Sequence, residues 1–422
     1  GMLNELYKCR LALGETKSAE IKKHIIQNNI YGVDIESGAV DIARLRFWLA
    51  LVVDDYGPQP LPNLDYKIMQ GNSLLESFKG IDLSSIFKKP SKNDQVRIIF
   101  DDESVAIELL QKNLTDYFYE TDHVAKCELR KKIDNAVKLL IRAKTQQNKE
   151  ILEELDSIDC SANSHFFLWH TYFADVFNGA SDCNTGFDIV IGNPPYVRQE
   201  KLTNEYKNLL CSTYPNIGNG IADLYVYFFG LGLKLLNPQG VLVLITLNKY
   251  LKTKYGKELR NTLATGVTVD LIIDFFELPV FNASTDASIT KIFKEKKAIS
   301  TRYFPIKTLD NLDLEKTTKG DFQITIKDED EWKFIDYRDK TILEKIHTNT
   351  QSLKEFTNDK IFYGVKTGAN EVFVLKNEVA QQLLDSESAP LVKRYAKPTS
   401  IKKWQIEGDE NYFLATDRKS VV

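Results

Sequence analysis

The sequence has few cysteines, no long apolar run and little net charge, and each shortage excludes a class of protein. Its five cysteines show no C-x-x-C pair and no regular spacing, which is typical of reduced thiols and argues against structural zinc. His165 and His170 have no neighbours at metal-ligand spacing, so no metal site is predicted. Charged residues interrupt the apolar stretches and no signal peptide is recognisable, so we expect a soluble, cytoplasmic protein without a membrane span.

The charge balance limits how the chain could hold a nucleic acid. Its net charge is -4 and its pI is near 5.9. A nucleic-acid partner would therefore need a local basic surface, because the protein as a whole is not cationic. Hydrophobic residues make up 43% of the chain, and its 422 residues suffice for two or three globular domains.

Four short apolar runs, each followed by turn or helix signals, predict buried parallel strands. They lie at residues 30–35, 66–71, 187–192 and 241–246. Helical patterns separate them, and the one before the last run, ADLYVYFFGLGLKLL, ends at NPQG, which predicts a turn. Strands that alternate with helices predict an α/β fold built on a doubly wound sheet.

A charged, helix-forming segment interrupts this alternation, and the alternation ends after about residue 300. We interpret the segment as a helical insertion, because its apolar residues recur at three- and four-residue spacing. These residues are Leu129, Ile133, Ala136 and Leu140. The predicted domains are a discontinuous catalytic domain (1–80 and 161–300), the insertion (81–160), a connector (301–345) and the start of a β-richer domain (346–422).

The segment FDIVIGNPPYVRQEKL, which begins at Phe187, is the strongest candidate for a catalytic site. Ligands of open α/β sheets bind beyond the carboxyl ends of strands, where Asn193 falls. Two prolines stiffen the following turn and remove N–H donors, so the Asn193 oxygen and the Pro194 carbonyl can together accept both hydrogens of one exocyclic amine. Tyr196 can stack on the ring that carries this amine, which in duplex DNA must first swing out of the helix. A simple strand-ending turn is the alternative.

This stretch resembles motif IV of amino-group methyltransferases that use S-adenosylmethionine. Nearly all of the chain outside the insertion resembles the TaqI-type, gamma-class N6-adenine DNA methyltransferases, especially the modification part of type IIG or IIS restriction-modification enzymes. The resemblance implies a Rossmann-like methyltransferase sheet, followed by an α+β specificity domain that begins at YGVKTGANEVFVL. It also implies S-adenosylmethionine as cofactor, double-stranded DNA as partner and a flipped adenine as the methyl acceptor.

The same resemblance assigns roles to individual residues. Asn193, Pro194 and Tyr196 would be catalytic, with Tyr196 also stacking on the target base. IYGVDIESGAV is similar to the motif whose acidic residue, here Asp34, takes the cofactor ribose hydroxyls. IMQGNSLL is similar to the motif that contacts the cofactor adenine, and Asn72 stands where many relatives carry Asp.

Two further assignments concern the DNA. FFELPVFNASTDASITKIF is similar to a motif in which an aromatic residue, here Phe281, packs against the flipped base; a core phenylalanine is the alternative. NKYLKTKYGKELR could contact phosphates, although a solvated helix face is the alternative. Its basic residues are Lys249, Lys252, Lys254, Lys257 and Arg260.

The chain departs from the family in one respect. A glycine-rich loop for the methionine part of the cofactor should precede the Asp34 strand, yet residues 1–29 contain no G-x-G. We therefore expect a truncated sequence, in which a neighbouring chain, a shifted strand or local disorder takes the place of the missing strand between the strands of Asp34 and Phe187. No nuclease motif is recognisable, so a nuclease domain would lie outside this chain.

Alternative functions stay open at this point. Methyl transfer to cytosine N4 uses an equivalent amine, whereas transfer to cytosine C5 needs a Pro-Cys nucleophile that the sequence lacks. Methyltransferases of protein glutamine or RNA amino groups also resemble N-P-P-Y. An inert DNA-specificity fragment would fit the missing glycine-rich loop. The sequence determines neither the oligomeric state nor the DNA sequence that is recognised.

Overall fold

The computed structural model of the chain divides into two compact units, Gly1–Asp336 and Tyr337–Val422. The residues that it describes are 1–16, 19–53, 61–79, 81–83, 101–144, 149–177, 185–276, 278–281, 286–297, 300–306, 308, 322–324, 332, 334, 337–348, 350–360, 370–396, 400–406 and 411–415.

The first unit combines helices with a parallel pair of strands, a six-stranded sheet and a short two-stranded hairpin. We call the first two of these the smaller and the larger part of the sheet. Its helices are α1 (Met2–Ala12), α2 (Ala19–Asn29), α3 (Ser37–Val52), α4 (Asp101–Tyr119), α5 (His123–Lys144), α6 (Lys149–Ser157), α7 (Trp169–Tyr172), α8 (Ala174–Phe177), α9 (Asn204–Thr213), α10 (Leu224–Leu235) and α11 (Lys257–Gly266). Its strands are β1 (Gly32–Asp34), β2 (Ile68–Gln70), β3 (Ser77–Phe78), β4 (Ile81–Asp82), β5 (Phe187–Gly192), β6 (Leu236–Leu247), β7 (Thr268–Asp274), β8 (Ala287–Phe293), β9 (Thr301–Pro305) and β10 (Phe322–Ile324).

The smaller part of the sheet is a parallel pair of strands. β1 lies beside β2 with Gly32 opposite Ile68 and Asp34 opposite Gln70. Gln70, at the end of β2, also forms an isolated bridge with Ala162. α3 connects the two strands, and its Arg44 side chain donates to the Ile68 carbonyl at 2.7 and 2.9 Å. The polar ends of β1 and β2 therefore meet at one edge of the sheet.

The larger part has six strands within the described residues, in the order β10-β9-β7-β8-β6-β5. β5 runs parallel to β6, and β8 lies antiparallel between β6 and β7. β7 is parallel to β9, and β10 is antiparallel to β9. This mixed sheet with its helices confirms the predicted α/β class.

All four predicted strands are present, and each has a parallel neighbour. The segment NPQG, residues 237–240, lies inside β6 and does not form the predicted turn. The register with β5 shifts there: Phe187 lies opposite Leu236, and Ile189 lies opposite Val241. The extra residues of β6 form an irregularity in the ladder, and the regular pairing of β6 with β5 resumes directly after Gly240.

Helices α4 and α5 from the predicted insertion pack on the smaller part of the sheet. Ile133 and Leu140, two of the residues whose spacing predicted a helix, are buried in a cluster that also contains Met69 of β2 and Phe166. Residues 84–100 of this segment lie outside the described residues. The limits of the insertion and of the other predicted domains stay a prediction.

No ladder between described strands joins the two parts of the sheet, and we call this break in the pairing between β1 and β5 the gap. Tyr31, directly before β1, and Phe187, at the start of β5, place their ring centroids 5.5 Å apart. In the described part of the chain, β1 pairs only with β2 and β5 pairs only with β6. Residues 1–16 and 19–31 contain α1 and α2 and no strand. These residues therefore supply no strand for the position between β1 and β5.

The second unit contains helices and antiparallel strands. Its helices are α12 (Tyr337–Thr348), α13 (Leu353–Phe356), α14 (Asn370–Phe373) and α15 (Asn377–Leu384), and its strands are β11 (Val374–Leu375), β12 (Val392–Tyr395), β13 (Ile401–Lys402), β14 (Gln405–Ile406) and β15 (Asn411–Leu414). β15 pairs between β11 and β12 over a core of Ala380, Val392 and Tyr412. No described helix in either unit has the length and apolar character to span a membrane.

Candidate functional site

The N-P-P-Y segment leaves the carboxyl end of β5 as an extended turn. Asn193 is exposed, and its side chain makes no hydrogen bond to another described residue. Pro194 is buried and Tyr196 is half-buried. An unengaged amide oxygen on a turn stiffened by two prolines is a hydrogen-bond acceptor available to a ligand.

Tyr196 and Phe281 come together although 84 residues separate them in the chain. Their ring centroids are 5.9 Å apart and their planes meet at 72°, an edge-to-face arrangement. Phe281 also packs against a cluster that contains Ile273 and Phe275. The two rings therefore meet at close to a right angle, and we call the corner between them the slot.

Asp274, at the end of β7, holds the start of the loop that carries Phe281. It is almost fully buried, and its carboxylate accepts hydrogen bonds from the Asn248 side chain, the Phe276 amide and the Tyr303 hydroxyl, each at 3.0 Å. Burial and the nearby Asp274 carboxylate raise the pKa of Tyr303, which keeps its hydroxyl a donor. Three donors around one carboxylate connect β6, β7 and β9 at this edge.

Asp223 holds the other side of the slot. It stands directly before α10, and its carboxylate accepts from the Gln199 amide at 3.0 Å and from the Tyr255 hydroxyl at 3.4 Å. The Leu224 amide also donates to the Val197 carbonyl at 3.0 Å. These bonds tie the residues that follow Tyr196 to the start of α10, so the turn is anchored on both sides.

Asp34 and Asn72 lie at the carboxyl ends of the neighbouring strands β1 and β2. Asp34 is exposed, and one of its carboxylate oxygens accepts from the Glu36 amide at 2.9 Å. The Gly71 amide donates to the Asp34 carbonyl at 2.9 Å, which places the two strand ends side by side. The second Asp34 oxygen makes no hydrogen bond to a described residue, so it is available for hydroxyl groups of a ligand.

Tyr206 was not predicted, yet it joins the two halves of the site. It lies on α9, and the Asn72 side chain donates to its hydroxyl at 3.3 Å. Burial raises the pKa of this hydroxyl, and the hydrogen bond from Asn72 acts in the opposite direction. No feature of a single sequence marks a tyrosine ten residues after N-P-P-Y; Asp223 and Asp274 were missed for the same reason, because their roles depend on distant partners.

The predicted basic strip is only partly exposed. Lys249, Lys252 and Lys254 are exposed on turns between β6 and α11. Arg260 is 3% exposed and donates to the carbonyls of Tyr250 and Thr253. Its inclusion in the strip was therefore wrong, because its guanidinium holds this turn from the inside.

The specificity domain, the cavity and possible metal ligands lie outside the site described above. Most of the predicted start of the specificity domain, residues 361–369, lies outside the described residues. A cavity of about 410 Å³ opens between α2, α4 and the segment before β2, but it contains none of the predicted site residues and lies at the opposite strand ends. No cluster of His, Cys, Asp and Glu suited to a metal occurs in the described parts of the chain.

Similar proteins were identified by sequence and by structure. M.BstVI, a type II methyltransferase from Geobacillus stearothermophilus, is 29% identical over 45% of this chain and 37% of its own length. RM.MjaORFECS2P, a putative type II restriction enzyme and methyltransferase from Methanocaldococcus jannaschii, is 27% identical over 62% of this chain and 25% of its own. A nuclease-deletion mutant of the type ISP restriction-modification enzyme LlaGI, solved with a DNA substrate mimic, matches 72% of this chain and 20% of its own with 13% identity and a TM-score of 0.38.

The chain thus spans well under half the length of the curated relatives that it matches. A family description also matches. Residues 28–281, which run from the end of α2 to Phe281 and make up more than half of the chain, fit the model of the Eco57I restriction-modification methylases. The protein belongs to the Eco57I restriction-modification methylase family.

Proposed function

We propose that this chain is the methyl-transferring part of a restriction-modification enzyme that modifies adenine N6 in double-stranded DNA. The observation that carries the proposal is the slot formed by Tyr196 and Phe281 beside the free amide of Asn193. The slot suits a flat base that has left the duplex stack, because a base needs an aromatic surface to replace its lost stacking.

Asn193 and Pro194 would act on the exocyclic amine of the base. The Asn193 side-chain oxygen and the Pro194 carbonyl each accept one hydrogen of the amino group. Two accepted hydrogen bonds concentrate electron density on the nitrogen, which makes it a better nucleophile, and they hold it in one orientation. The two prolines fix the acceptors before the base arrives, so little ordering is needed at the moment of reaction.

S-adenosylmethionine is the cofactor that this proposal requires, and when bound it supplies an electrophilic methyl group. The residues at the ends of β1 and β2 fit its nucleoside part. Asp34 offers an exposed carboxylate oxygen for ribose hydroxyls. Asn72, whose amide donates to the Tyr206 hydroxyl and accepts from the Leu74 amide, would contact the adenine.

DNA would be held by local charge. Lys249, Lys252 and Lys254 are exposed at the same edge of the sheet as the proposed slot, on turns that follow β6. They supply positive charge in a chain whose net charge is -4. Phosphate contacts of this kind would position the duplex without reading its sequence.

A catalytically inert DNA-specificity fragment is the second candidate, and the gap between β1 and β5 favours it. Calorimetry with S-adenosylmethionine separates the two. Binding to the 422-residue chain supports a working cofactor site, whereas no binding here combined with binding by a longer form of the enzyme supports the fragment.

The decisive experiment replaces Asn193 by alanine in a form of the enzyme that transfers methyl groups. We expect incorporation of labelled methyl into DNA to fall by about a hundredfold to a thousandfold, because one oriented acceptor is lost at the reacting nitrogen. Cofactor binding, measured by calorimetry, should be unchanged. Equal loss of methyl transfer and of cofactor binding would contradict the assignment of Asn193. Detection of N4-methylcytosine in the digested DNA would change the proposed target from adenine N6 to cytosine N4.

A further inference from the structure

The loop that carries Asn72 depends on distant residues for its hydrogen bonds. We call residues 71–76, which follow β2, the Asn72 loop. Loops usually run over the surface, because buried backbone polar groups need hydrogen-bond partners. Most of this loop is nevertheless buried, and the carbonyl groups of three successive residues, 73–75, each accept a hydrogen bond from a distant segment. Its conformation is therefore fixed from outside.

Two of the three donors come from residues 163–170, which we call the Trp169 segment. The Trp169 indole N–H donates to the Ser73 carbonyl at 2.9 Å. The Phe167 amide donates to the Leu75 carbonyl at 2.8 Å. The Trp169 segment follows the inserted helices and precedes β5, so it ties the Asn72 loop to a part of the chain that lies about ninety residues away.

The carbonyl between these two is held from the side of α9. The Tyr214 hydroxyl, directly after α9, donates to the Leu74 carbonyl at 2.8 Å. Burial raises the pKa of Tyr214, and the nearby Glu76 carboxylate adds to this effect, so the hydroxyl remains a donor. Tyr206 of the same helix accepts from Asn72 itself. The loop is thus fixed on two sides.

Glu76 and His170 form a buried pair at the end of the Asn72 loop. The two residues are 7% and 8% exposed. The His170 backbone amide and the His170 Nδ1 each lie 2.9 Å from the Glu76 carboxylate. A carboxylate only accepts, so Nδ1 carries the hydrogen and donates it. Because two donors of one residue meet one carboxylate, the pair joins the end of the loop firmly to the Trp169 segment.

Gly71 shows how closely the loop and the Trp169 segment approach each other. A Cβ atom at Gly71 would come within 2.7 Å of the Phe167 ring and within 3.1 Å of the Phe166 carbonyl oxygen. The absence of a side chain at Gly71 therefore lets the Trp169 segment lie directly against the loop.

The inserted helices in turn hold the Trp169 segment. The Asn163 side-chain oxygen accepts from the Phe166 amide at 3.1 Å. The Cys160 amide donates to the Asp134 carboxylate of α5 at 3.3 Å. Phe166 and Phe167 belong to a buried cluster that also contains residues of α5. Helix α5 thus supports the segment that fixes the Asn72 loop.

We propose that Trp169 and His170 are positioning residues for the cofactor, because they hold the loop in the conformation in which Asn72 contacts the adenine part of S-adenosylmethionine. The inference rests on the proposed role of Asn72. One N–H and one oxygen lone pair of the Asn72 amide stay available, since each group forms one hydrogen bond within the described residues. The inserted helices then act as a support of the cofactor site.

A small change at Trp169 tests the proposal. Trp169→Phe keeps an aromatic ring and removes the indole N–H, so the Ser73 carbonyl loses its donor. In a form of the enzyme that binds S-adenosylmethionine, calorimetry should give a dissociation constant about threefold to tenfold higher. The turnover number at saturating cofactor should stay within about twofold, because Asn193 is untouched.

Trp48→Phe is the matched control. The Trp48 indole N–H donates to the Pro62 carbonyl at 2.9 Å, the same distance as between Trp169 and Ser73. Neither Trp48 nor Pro62 belongs to the Asn72 loop. Both variants should lower the melting temperature by a similar few degrees, but only Trp169→Phe should weaken cofactor binding.

Amide hydrogen exchange gives a readout that does not require the cofactor. The Leu74 and Leu75 amides bond within the loop, to the side chain and the carbonyl of Asn72. They should exchange about tenfold faster in Trp169→Phe and at an unchanged rate in Trp48→Phe, because only the first variant releases the loop.

Two replacements of His170 separate its hydrogen bond from its volume. His170→Asn keeps an N–H group near the position of Nδ1, whereas His170→Leu keeps the volume and removes this donor from the Glu76 carboxylate. We expect the asparagine variant to bind the cofactor within about threefold of the unchanged enzyme, and the leucine variant to bind it at least about tenfold more weakly. Equal affinity of the two variants would contradict a positioning role for His170.

Two results for the tryptophan variants would overturn the proposal. One is unchanged cofactor affinity in Trp169→Phe. The other is an equal loss of affinity in Trp169→Phe and Trp48→Phe, which would mean that both act only through stability. Methyl transfer is tested separately by Asn193→Ala. Unchanged transfer in that variant, together with weaker cofactor binding in Trp169→Phe, would support this inference and contradict the proposed function instead.

Discussion

Single residues carry the proposed chemistry, and their surroundings explain why each could do so. Asn193 is exposed on a turn stiffened by prolines, so its amide is free to accept from a ligand. Tyr196 is different, because its ring is half-buried against Phe281 and its hydroxyl is buried without a hydrogen-bond partner among the described residues. Burial also raises the pKa of this hydroxyl, so it stays neutral over the working range of pH. The ring, not the hydroxyl, is the functional part of Tyr196 in our proposal.

Two substitutions separate the ring from the hydroxyl. Tyr196→Phe should increase the free energy of unfolding by up to about 1 kcal/mol, because it removes a buried, unpaired hydroxyl. It should leave methyl transfer within about threefold of the unchanged enzyme. Tyr196→Ala should lower transfer about tenfold to a hundredfold, because base stacking on an aromatic ring contributes about 1–3 kcal/mol. Denaturant titration and methyl incorporation measure the two effects, and equal losses in both variants would assign the role to the hydroxyl.

Turns between elements decide whether the site residues meet. The turn from β6 to α11 carries Lys249, Lys252 and Lys254, and Arg260 closes it through the carbonyls of Tyr250 and Thr253. Gly256 lies against the same backbone: a Cβ atom there would come within 2.2 Å of the Tyr250 oxygen. The lysines therefore keep their places because a glycine and a buried arginine shape the turn.

Gly256→Ala tests this dependence at the scale of one element. Its methyl group would collide with backbone that Arg260 holds, so the free energy of unfolding should fall by about 1–3 kcal/mol. If the lysines contact phosphates, DNA affinity should fall as well. Gly266→Ala, at the end of α11, is the matched control, because no heavy atom lies within 4 Å of its added Cβ. Denaturant titration of both variants gives the comparison, and equal stability would show that the turn tolerates the methyl group.

The whole molecule buries several tyrosine side chains, and these couple its stability to alkaline pH. Burial raises the pKa of Tyr117 to about 12. It also raises the pKa values of Tyr66, Tyr172, Tyr225 and Tyr250. In the unfolded chain each of these groups titrates near 10.

Stability should therefore fall as pH rises above about 10. In that range the unfolded chain releases tyrosine protons that the folded chain retains, so ionisation favours unfolding; below pH 10 these residues contribute no pH dependence. Absorbance of ionised tyrosine near 295 nm should increase together with loss of the circular dichroism signal. Ionisation of all 19 tyrosines before any loss of structure would contradict this expectation, because the buried hydroxyls should ionise only when the chain unfolds.

The sequence predicted those features whose cause is local. Apolar runs that end in turn signals identified the strands of Asp34, Asn72 and Asn193, and the residues N-P-P-Y indicated acceptors for an amine. It did not reveal Tyr206, Asp223 or Asp274, because their contacts join segments far apart in the chain. It also placed Arg260 on the surface, since charge alone does not show that carbonyl groups surround a side chain.

The sequence by itself determined the α/β class, the order of strands along the chain and the family to which the chain belongs, since periodicity and short motifs depend on neighbours in sequence. Only the tertiary structure decided that Tyr196 meets Phe281 at a right angle and that Arg260 is buried. It alone also revealed that Ile189 and Ile191 of β5 are exposed. Pairing, register and burial arise from contacts between distant segments, and these contacts exist only when the chain is folded.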